Sequence, residues 1–539
     1  MSGEINRSTG KYTALEKYIS DIDVKGLQNT WDDICKCVLN NGTAGELPNI
    51  KNFGEMYEIG LARLDKSKKK NNGQYYTPDD VALIMGEWLS RSEGENICDV
   101  ACGTGKLILA YLDYVGKEKA RSLLQEGRVY LYDYDETALK ICKTSLLAKY
   151  GLDLAGQIHA IHCDFLDKDV VLPENCKTIS NPPYGKIGQF GDNWNLTDVI
   201  RTAREWYSSF MEKICEQSKS AVIITPFSFI AGGKFYALRK EMCALGGGFV
   251  VAFDNIPGNI FCGRKQGIFN TNMSNSVRAA ITVFHKSDKP DGFKISPLIR
   301  FKNGERRDLL KTDVLELAVN TKKQIVNEEN KAFKKIDGRL QDLYDAWVGS
   351  SSYLLKDLVV KNKGKYPIYV PNTCRYNTVA ASKRLERKGL ITLNVDNPSV
   401  FYFLYCFLNS SFPYWWWRIY DGGITYPVSL LNNLPVPYNL LGNKEKEEFK
   451  EIAIEMAQEE EKYTSIKVNA GTAQENIKFP KRYRDLIDNA ILKLIESESY
   501  KDKLASIHDN SFFRRSSGQN TVLMLESGKN PTVNRPDLE

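Results

Sequence analysis

The chain has 539 residues, enough for three or four domains at about 150 residues each. Hydrophobic residues make up 42% and charged residues 26%, while 73 lysines and arginines against 67 acids leave a net charge of only +6. That is a globular composition, and it neither demands nor excludes a polyanionic partner. No apolar run approaches the roughly 18 residues of a membrane helix, and the polar start MSGEINRSTG has no signal-peptide core. A soluble, cytoplasmic chain is expected. The twelve cysteines are scattered without a C-x-x-C pair, so reduced thiols are expected. His159, His162 and Cys163 lie close together, but on a β-like run the two histidines face opposite sides. With no second ligand pair, no metal site is expected.

Residues 1–60 read as helical, from Tyr12–Ile19 through Leu27–Leu39, with Asn40-Asn41-Gly42 as a stop. The lysines 66 and 68–70 precede Asn71-Asn72-Gly73, an exposed loop. Between about 75 and 285, strand-like and helix-like segments alternate. The strand candidates are Asn96–Val100, Arg128–Tyr132, Ile158–His162, Cys176–Ser180, Ala221–Thr225, Phe249–Phe253 and Ala279–Phe284. Val199, Ala203, Trp206, Phe210 and Ile214 place one helical stripe between two of them. Seven strands with intervening helices predict an open, mostly parallel α/β sheet. Asp313–Val348 reads as helical and charged, Lys361–Lys388 as basic and loop-rich, and Lys444–Lys462 as an acidic amphipathic helix with a solvated face. The run Trp415–Trp417 reads as packing rather than base stacking. The end of the chain, rich in Ser, Asn, Gly and Pro, reads as disordered.

The sharpest local signal is Asp99-Val100-Ala101-Cys102-Gly103-Thr104-Gly105, between an apolar strand and the helix beginning at Lys106. Glycines there let the backbone turn tightly and approach a ligand at a helix N-terminus. A Walker loop would need Gly at Val100 and Ser or Thr at Leu107, and a dinucleotide fingerprint would need Gly at Ile108; all three fail. About thirty residues on, Asp133 ends the next strand, where a carboxylate can accept both ribose hydroxyls of an adenosyl ligand. Asp135 is more simply the N-cap of the following helix. The third strand ends in Asp164-Phe165, a carboxylate for an adenine amino group and a ring for the base. An adenosyl cofactor is expected.

The fourth strand runs into Asn181-Pro182-Pro183-Tyr184. Two prolines fix the backbone and remove two donors, leaving carbonyls free to face a cleft. With the Asn181 amide and the Tyr184 ring, this set suits an exocyclic amine on a planar base. At these residues the chain resembles the S-adenosylmethionine-dependent DNA adenine-N6 methyltransferases of the gamma arrangement, over roughly residues 50–440. Gln74-Tyr75-Tyr76-Thr77-Pro78 looks like the family's cofactor-methionine segment. The resemblance therefore implies Tyr76, Thr77, Pro78, Asp99, Ala101, Cys102, Gly103, Gly105, Asp133, Asp164, Phe165 and Asn181 as cofactor residues. It implies Asn181, Pro182, Pro183 and Tyr184 as catalytic residues, with Tyr184 and Phe261 stacking on an extruded base. Phe269 is the alternative to Phe261, because the segment Gly263–Ser274 loosens the alignment.

The same resemblance implies a Rossmann-like methyltransferase sheet at 61–300, after the helical segment 1–60. A C-terminal α+β target-recognition domain follows at 301–440, then a helical region at 441–505 and a tail at 506–539. Within the recognition region Lys361–Lys388 sets Lys361, Lys363, Lys365, Arg375, Lys383, Arg384, Arg387 and Lys388 against the single acid Glu386, a net +7. The chain's basicity is therefore local, and these eight residues are the expected contacts to double-stranded DNA. A monomer is expected, associated with the nucleoid through DNA and acting either with an outside restriction endonuclease or alone; no P-D…E-x-K cluster suggests cleavage. RNA adenines, protein glutamine amides, and a subunit role beside a separate specificity chain remain the alternatives.

Overall fold

The computed structural model describes residues 77–261, 277–361, 364–469, 472–514 and 522–523. The N-terminal helices expected within 1–60, Gln74–Tyr76, Phe269, Lys363 and most of the expected tail lie outside these residues.

All seven predicted segments form strands, because each is a short β-branched or aromatic run bounded by turn residues. They are β1 Asn96–Val100, β2 Val129–Asp133, β3 His159–His162, β4 Cys176–Ser180, β5 Ser220–Pro226, β6 Gly246–Phe253 and β7 Ala279–Lys286. Two further strands, β8 Gly292–Ile299 and β9 Lys323–Gln324, join them, so the sheet has nine strands rather than seven. Pro297 interrupts the alternation of β8 and hides it from periodicity; the pairing with β6 slips at Val250/Ala252 beside it. The order is β3-β2-β1-β4-β5-β7-β6-β8-β9. Pairing is parallel from β3 through β5 and between β6 and β8, and antiparallel on both sides of β7 and at β9.

The first helices are α1 Asp79–Ser90, α2 Lys106–Val115, α3 Lys117–Gln125, α4 Glu136–Tyr150, α5 Asp198–Ala203, α6 Trp206–Gln217 and α7 Tyr236–Leu245. The stripe expected on one helix spans two, because Arg204 takes a left-handed conformation (φ 50°) between α5 and α6. Val199, Ala203, Phe210 and Ile214 are nonetheless all buried. From β1 the chain steps outward through β2 and β3, then returns to place β4 on the other flank of β1. A crevice opens at such a reversal, outside the carboxyl ends of β1 and β4.

The expected helix Asp313–Val348 is instead α8 Thr312–Leu317 and α9 Gln341–Ser350, separated by β9 and mostly irregular backbone. Asparagines there turn the backbone on their own side chains: Asn320 accepts from Lys322 N and Asn327 from Glu329 N and Asn330 N. The core of the sheet continues to Phe333, and a second core begins at Ile336, so the division expected at residue 300 falls inside the first layer. That second core unites the expected 301–440 and 441–505 regions around α10 Pro398–Leu408, α11 Ser411–Tyr420, α12 Asn443–Tyr463 and α13 Lys481–Leu494. Trp415, Trp416 and Trp417 are buried in it, with Trp415 stacked on Trp347 at 5.8 Å. Helix α12 buries Phe449, Ala453, Met456 and Glu460 and exposes most of its charges. Residues 506–512, expected to begin the tail, are packed: Ile507 touches the second core and Phe512 the first. Among the described residues no helix is long and apolar enough to cross a membrane.

Candidate functional site

The glycine loop leaves β1 at Val100 and enters α2. Ala101 (φ 58°) and Gly103 (φ 52°) are both left-handed, and Gly105 (φ 89°) caps the helix. A Cβ on Gly105 would stand 2.5 Å from Cys142 Sγ, so only glycine closes this turn against α4. Asp99 is fully buried, and its Oδ2 accepts from Ile108 N at 3.0 Å, holding the first turn of α2 over the strand end. Its Oδ1 is buried with no donor among the described residues. Burial, with Asp133 nearby, pushes the Asp99 carboxyl well above the usual carboxylate range.

Asp133 ends β2 and accepts from Gly103 N at 2.7 Å and from Asp135 N at 2.8 Å, which ties the second strand end to the glycine loop. Burial raises its pKa as well. Each oxygen retains a second lone pair for a hydroxyl. Asp135 caps α4 through Thr137 N and Ala138 N, as expected from its position. Asp164 accepts from Leu166 N at 3.0 Å and from the Trp194 indole at 2.9 Å. Phe165 is buried, with its ring 5.1 Å from Phe210 and 6.1 Å from Tyr132. The three acidic strand ends and the glycine loop thus share one edge of the sheet.

Asn181 follows β4 on the same edge. Ser180 Oγ donates to the Val100 carbonyl at 2.6 Å, so the Asn-Pro-Pro-Tyr segment starts directly beside the glycine loop. The Asn181 amide donates to Thr77 Oγ1 at 2.9 Å, which brings the segment before α1 to the same point. Tyr184 is buried, its hydroxyl donating to the Ile224 carbonyl of β5 at 3.2 Å. Phe261 is buried beside it, edge to face, with ring centroids 6.0 Å apart. The predicted pair of aromatics therefore meets in space, although 77 positions separate them in sequence.

Residues 49–291 match the sequence pattern described as N-6 DNA Methylase. Over this segment the chain is similar to the N-6 DNA methylases. Two relatives are the Type I restriction enzyme MpnII methylase subunit of Mycoplasma pneumoniae and the EcoEI methylase subunit of Escherichia coli. The first is 23% identical over 52% of this chain and 54% of its own length, the second 27% over 45% and 50%. The chain thus spans about half the length of the curated relatives it matches. Among solved structures, the Type I restriction enzyme EcoKI M protein aligns with 93% of this chain and 96% of its own at 12% identity and a TM-score of 0.34.

Three residues beyond the motifs lie beside or brace the site segments. Trp194 holds Asp164. Tyr134, 78% exposed, directly follows Asp133, with its ring 6.3 Å from that of His162. Arg306 is buried and bridges two site segments: it grips Asp80 of α1 at 2.6 and 2.8 Å and donates to the Asn259 and Ile260 carbonyls beside Phe261. None lies in a recognisable motif; only the pairing of a buried arginine with a helix-start aspartate would have signalled the last.

The basic residues do not form one patch. Lys361 and Lys365 are exposed near one end of the antiparallel pair β10 Tyr366–Pro371 and β11 Leu390–Val395, and Lys388 near the other. Lys383 is paired with Glu461 at 2.5 Å, and Arg387 donates to Asn476 Oδ1 and Thr373 Oγ1 at 2.8 Å each. Arg384 is exposed. Arg375 stands apart from all of these, at the seam with the sheet.

Proposed function

We propose that this chain is an S-adenosylmethionine-dependent methyltransferase that modifies adenine N6 in double-stranded DNA, as the modification arm of a restriction-modification system. The observation that carries the reading is the position of Asn181-Pro182-Pro183-Tyr184: after β4, joined to the glycine loop through Ser180 and to Thr77 through Asn181. The residues present fit the cofactor. Asp99 keeps a buried oxygen without a donor among the described residues, and Asp133 and Asp164 are fixed acceptors at adjacent strand ends. Asp133 would hold the ribose, Asp164 the adenine amine, and the segment around Thr77 and Pro78 the methionine end. When bound, S-adenosylmethionine supplies an electrophilic methyl group.

The remaining chemistry falls to the side chains. The adenine N6 lone pair is delocalised into the ring, so the amine is a poor nucleophile. Hydrogen bonds from its two protons to Asn181 Oδ1 and the Pro182 carbonyl favour a pyramidal nitrogen. They strengthen as positive charge develops on that nitrogen, which is the kind of interaction that lowers a barrier. Inside a duplex the amine is out of reach, so the base must be extruded, and Tyr184 and Phe261 provide the apolar walls that receive it. The exposed Lys361, Lys365, Arg384 and Lys388 would supply phosphate contacts.

A second reading follows from the names of the relatives, which are methylase subunits: the chain acts beside a specificity chain and a nuclease rather than as a monomer. One experiment addresses both. The purified full chain is given plasmid DNA and radiolabelled S-adenosylmethionine, with Asn181→Ala in parallel. N6-methyladenine formed by the wild type and lost in Asn181→Ala, with cofactor affinity kept, is the expected result. Undiminished transfer by Asn181→Ala would overturn the assignment. Transfer only after a second chain is added selects the subunit reading.

A further inference from the structure

Arg375 and Tyr376 differ from the rest of the basic segment in how their backbone is held. Arg300, 4% exposed just past β8, donates Nη2 to the Arg375 carbonyl at 2.6 Å. The Tyr414 hydroxyl of α11 donates to the same carbonyl at 3.3 Å. His508 Nδ1 lies 3.2 Å from the Tyr376 carbonyl. Arg300 is itself fixed by Asp254 after β6 (Nε to Oδ2, 2.7 Å), and its guanidinium sits 5.8 Å from the Tyr376 ring. The preceding residues are tied to a second loop: Tyr426 N donates to the Asn372 carbonyl at 2.6 Å, and Thr373 pairs with Thr425. Ile424 on that loop is 60% exposed.

The side chains at this fixed point are free to reach outward. Arg375 is exposed and its guanidinium has no partner among the described residues, while Tyr376 is 52% exposed. Strands β6 and β8 end on the same edge as β4, since β7 is antiparallel to both β5 and β6. Arg300 therefore stands four strand positions from Ser180, which is about 19 Å at 4.7–4.9 Å per strand. For a duplex lying along this edge, about 3.4 Å per base pair would bring the five or so pairs beside a base extruded at Asn181 within reach of this loop.

We infer that Arg375 and Tyr376 are the residues that read the target sequence, Arg375 recognising a guanine edge and Tyr376 packing against the neighbouring base. Direct readout needs a planar donor fork that starts from a fixed backbone, and here the Arg375 and Tyr376 carbonyls are held while the guanidinium, unpaired among the described residues, is left for a base edge. The exposed Lys361, Lys365 and Lys388 lie at the ends of a two-stranded sheet, on flexible stems suited to phosphates. This inference rests on the DNA reading above.

The test expresses the full chain in a host free of adenine methylation and maps the modified adenines by sequencing. The wild type is compared with Arg375→Ala, Arg375→Lys, Tyr376→Phe, Tyr376→Ala and the double variant Lys361→Ala/Lys365→Ala. The expected result is one modified sequence for the wild type, with discrimination at one base pair relaxed about tenfold to a hundredfold in both Arg375 variants. Tyr376→Phe keeps that sequence and Tyr376→Ala relaxes an adjacent position. The double lysine variant keeps it too, but binds DNA with a shallower salt dependence. Unchanged cofactor affinity in Arg375→Ala, measured by calorimetry, establishes that it is folded. An unaltered sequence in both Arg375 variants overturns the inference while leaving the methyltransferase reading intact. A wild type that modifies no adenine, alone or with a second chain, sinks that reading itself. Methylation that requires a second chain, whose association Arg375→Ala abolishes, makes this loop a protein-docking surface and also overturns the inference.

Discussion

The support beneath Tyr376 leads to a pH prediction whose size can be worked out. Ser411, fully buried at the start of α11, donates its amide and hydroxyl to the two oxygens of Asp488 at 2.8 and 2.5 Å. Its hydroxyl is also 3.0 Å from His508 Nε2, and a carbonyl such as Tyr376 O only accepts, which places the imidazole proton on Nδ1. Burial, followed by the charge of Arg484, lowers His508 from 6.5 to about 3; burial raises Asp488 from 3.8 to about 6. His508 therefore contributes stability that is present above pH 6.5 and withdrawn as pH falls toward 3. Asp488 contributes stability that is present below pH 3.8 and lost as pH rises through 6. Between about pH 4 and pH 6 the folded protein carries its proton on Asp488 and the unfolded chain carries one on His508, so the two slopes cancel. Each group alone would be worth about 3 kcal/mol over those two pH units. Relative to wild type, His508→Gln should gain about 3 kcal/mol on going from pH 6 to pH 4, and Asp488→Asn should lose about as much. Urea unfolding followed by the fluorescence of the buried tryptophans at several pH values measures both differences. Variant and wild-type curves that run parallel across the window would refute the coupled assignment.

Trp194→Phe keeps the packing but removes the indole donor from Asp164; the cofactor dissociation constant should rise about tenfold, the size of one hydrogen bond to a charged group. The turnover at saturating cofactor should stay within about twofold, as checked by calorimetry and steady-state kinetics. Gly105→Ala forces a side chain into a left-handed turn against Cys142 Sγ. It should cost at least about 2 kcal/mol of stability and abolish cofactor binding, and adding Cys142→Ala should recover part of the stability in thermal melts. Arg306→Met leaves Asp80 and two buried carbonyls without their donor. A loss of about 3 kcal/mol is expected, together with weaker capture of a 2-aminopurine base placed at the target; a melting temperature equal to wild type would count against the bridging role.

Much of the half that carries the sheet and the candidate site was legible in the sequence because its signals are local. A glycine turn, an acid at a strand end and an Asn-Pro-Pro-Tyr segment each owe their form to a few adjacent residues, and parallel strands of Val, Ile, Leu and Tyr announce themselves by composition. The eighth strand was hidden by Pro297, and the helix expected over Asp313–Val348 gave way to asparagine turns, because side-chain competition for the backbone does not show in hydrophobic periodicity.

What the linear order could not carry is the meeting of distant segments. That Arg306 joins the start of α1 to the loop before Phe261, that Trp194 orients Asp164, and that the second core begins at Ile336 all depend on long-range packing. The basic segment makes the difference clearest. Eight basic residues against one acid within 28 positions determined by sequence alone where the chain is locally cationic. Only the tertiary structure separated Arg375, pinned by Arg300 at the edge of the sheet, from Lys383 and Arg387, which are engaged with Glu461 and Asn476. Charge is a property of the residue. Whether that charge faces a partner, a phosphate or a base is decided by what the fold places against it.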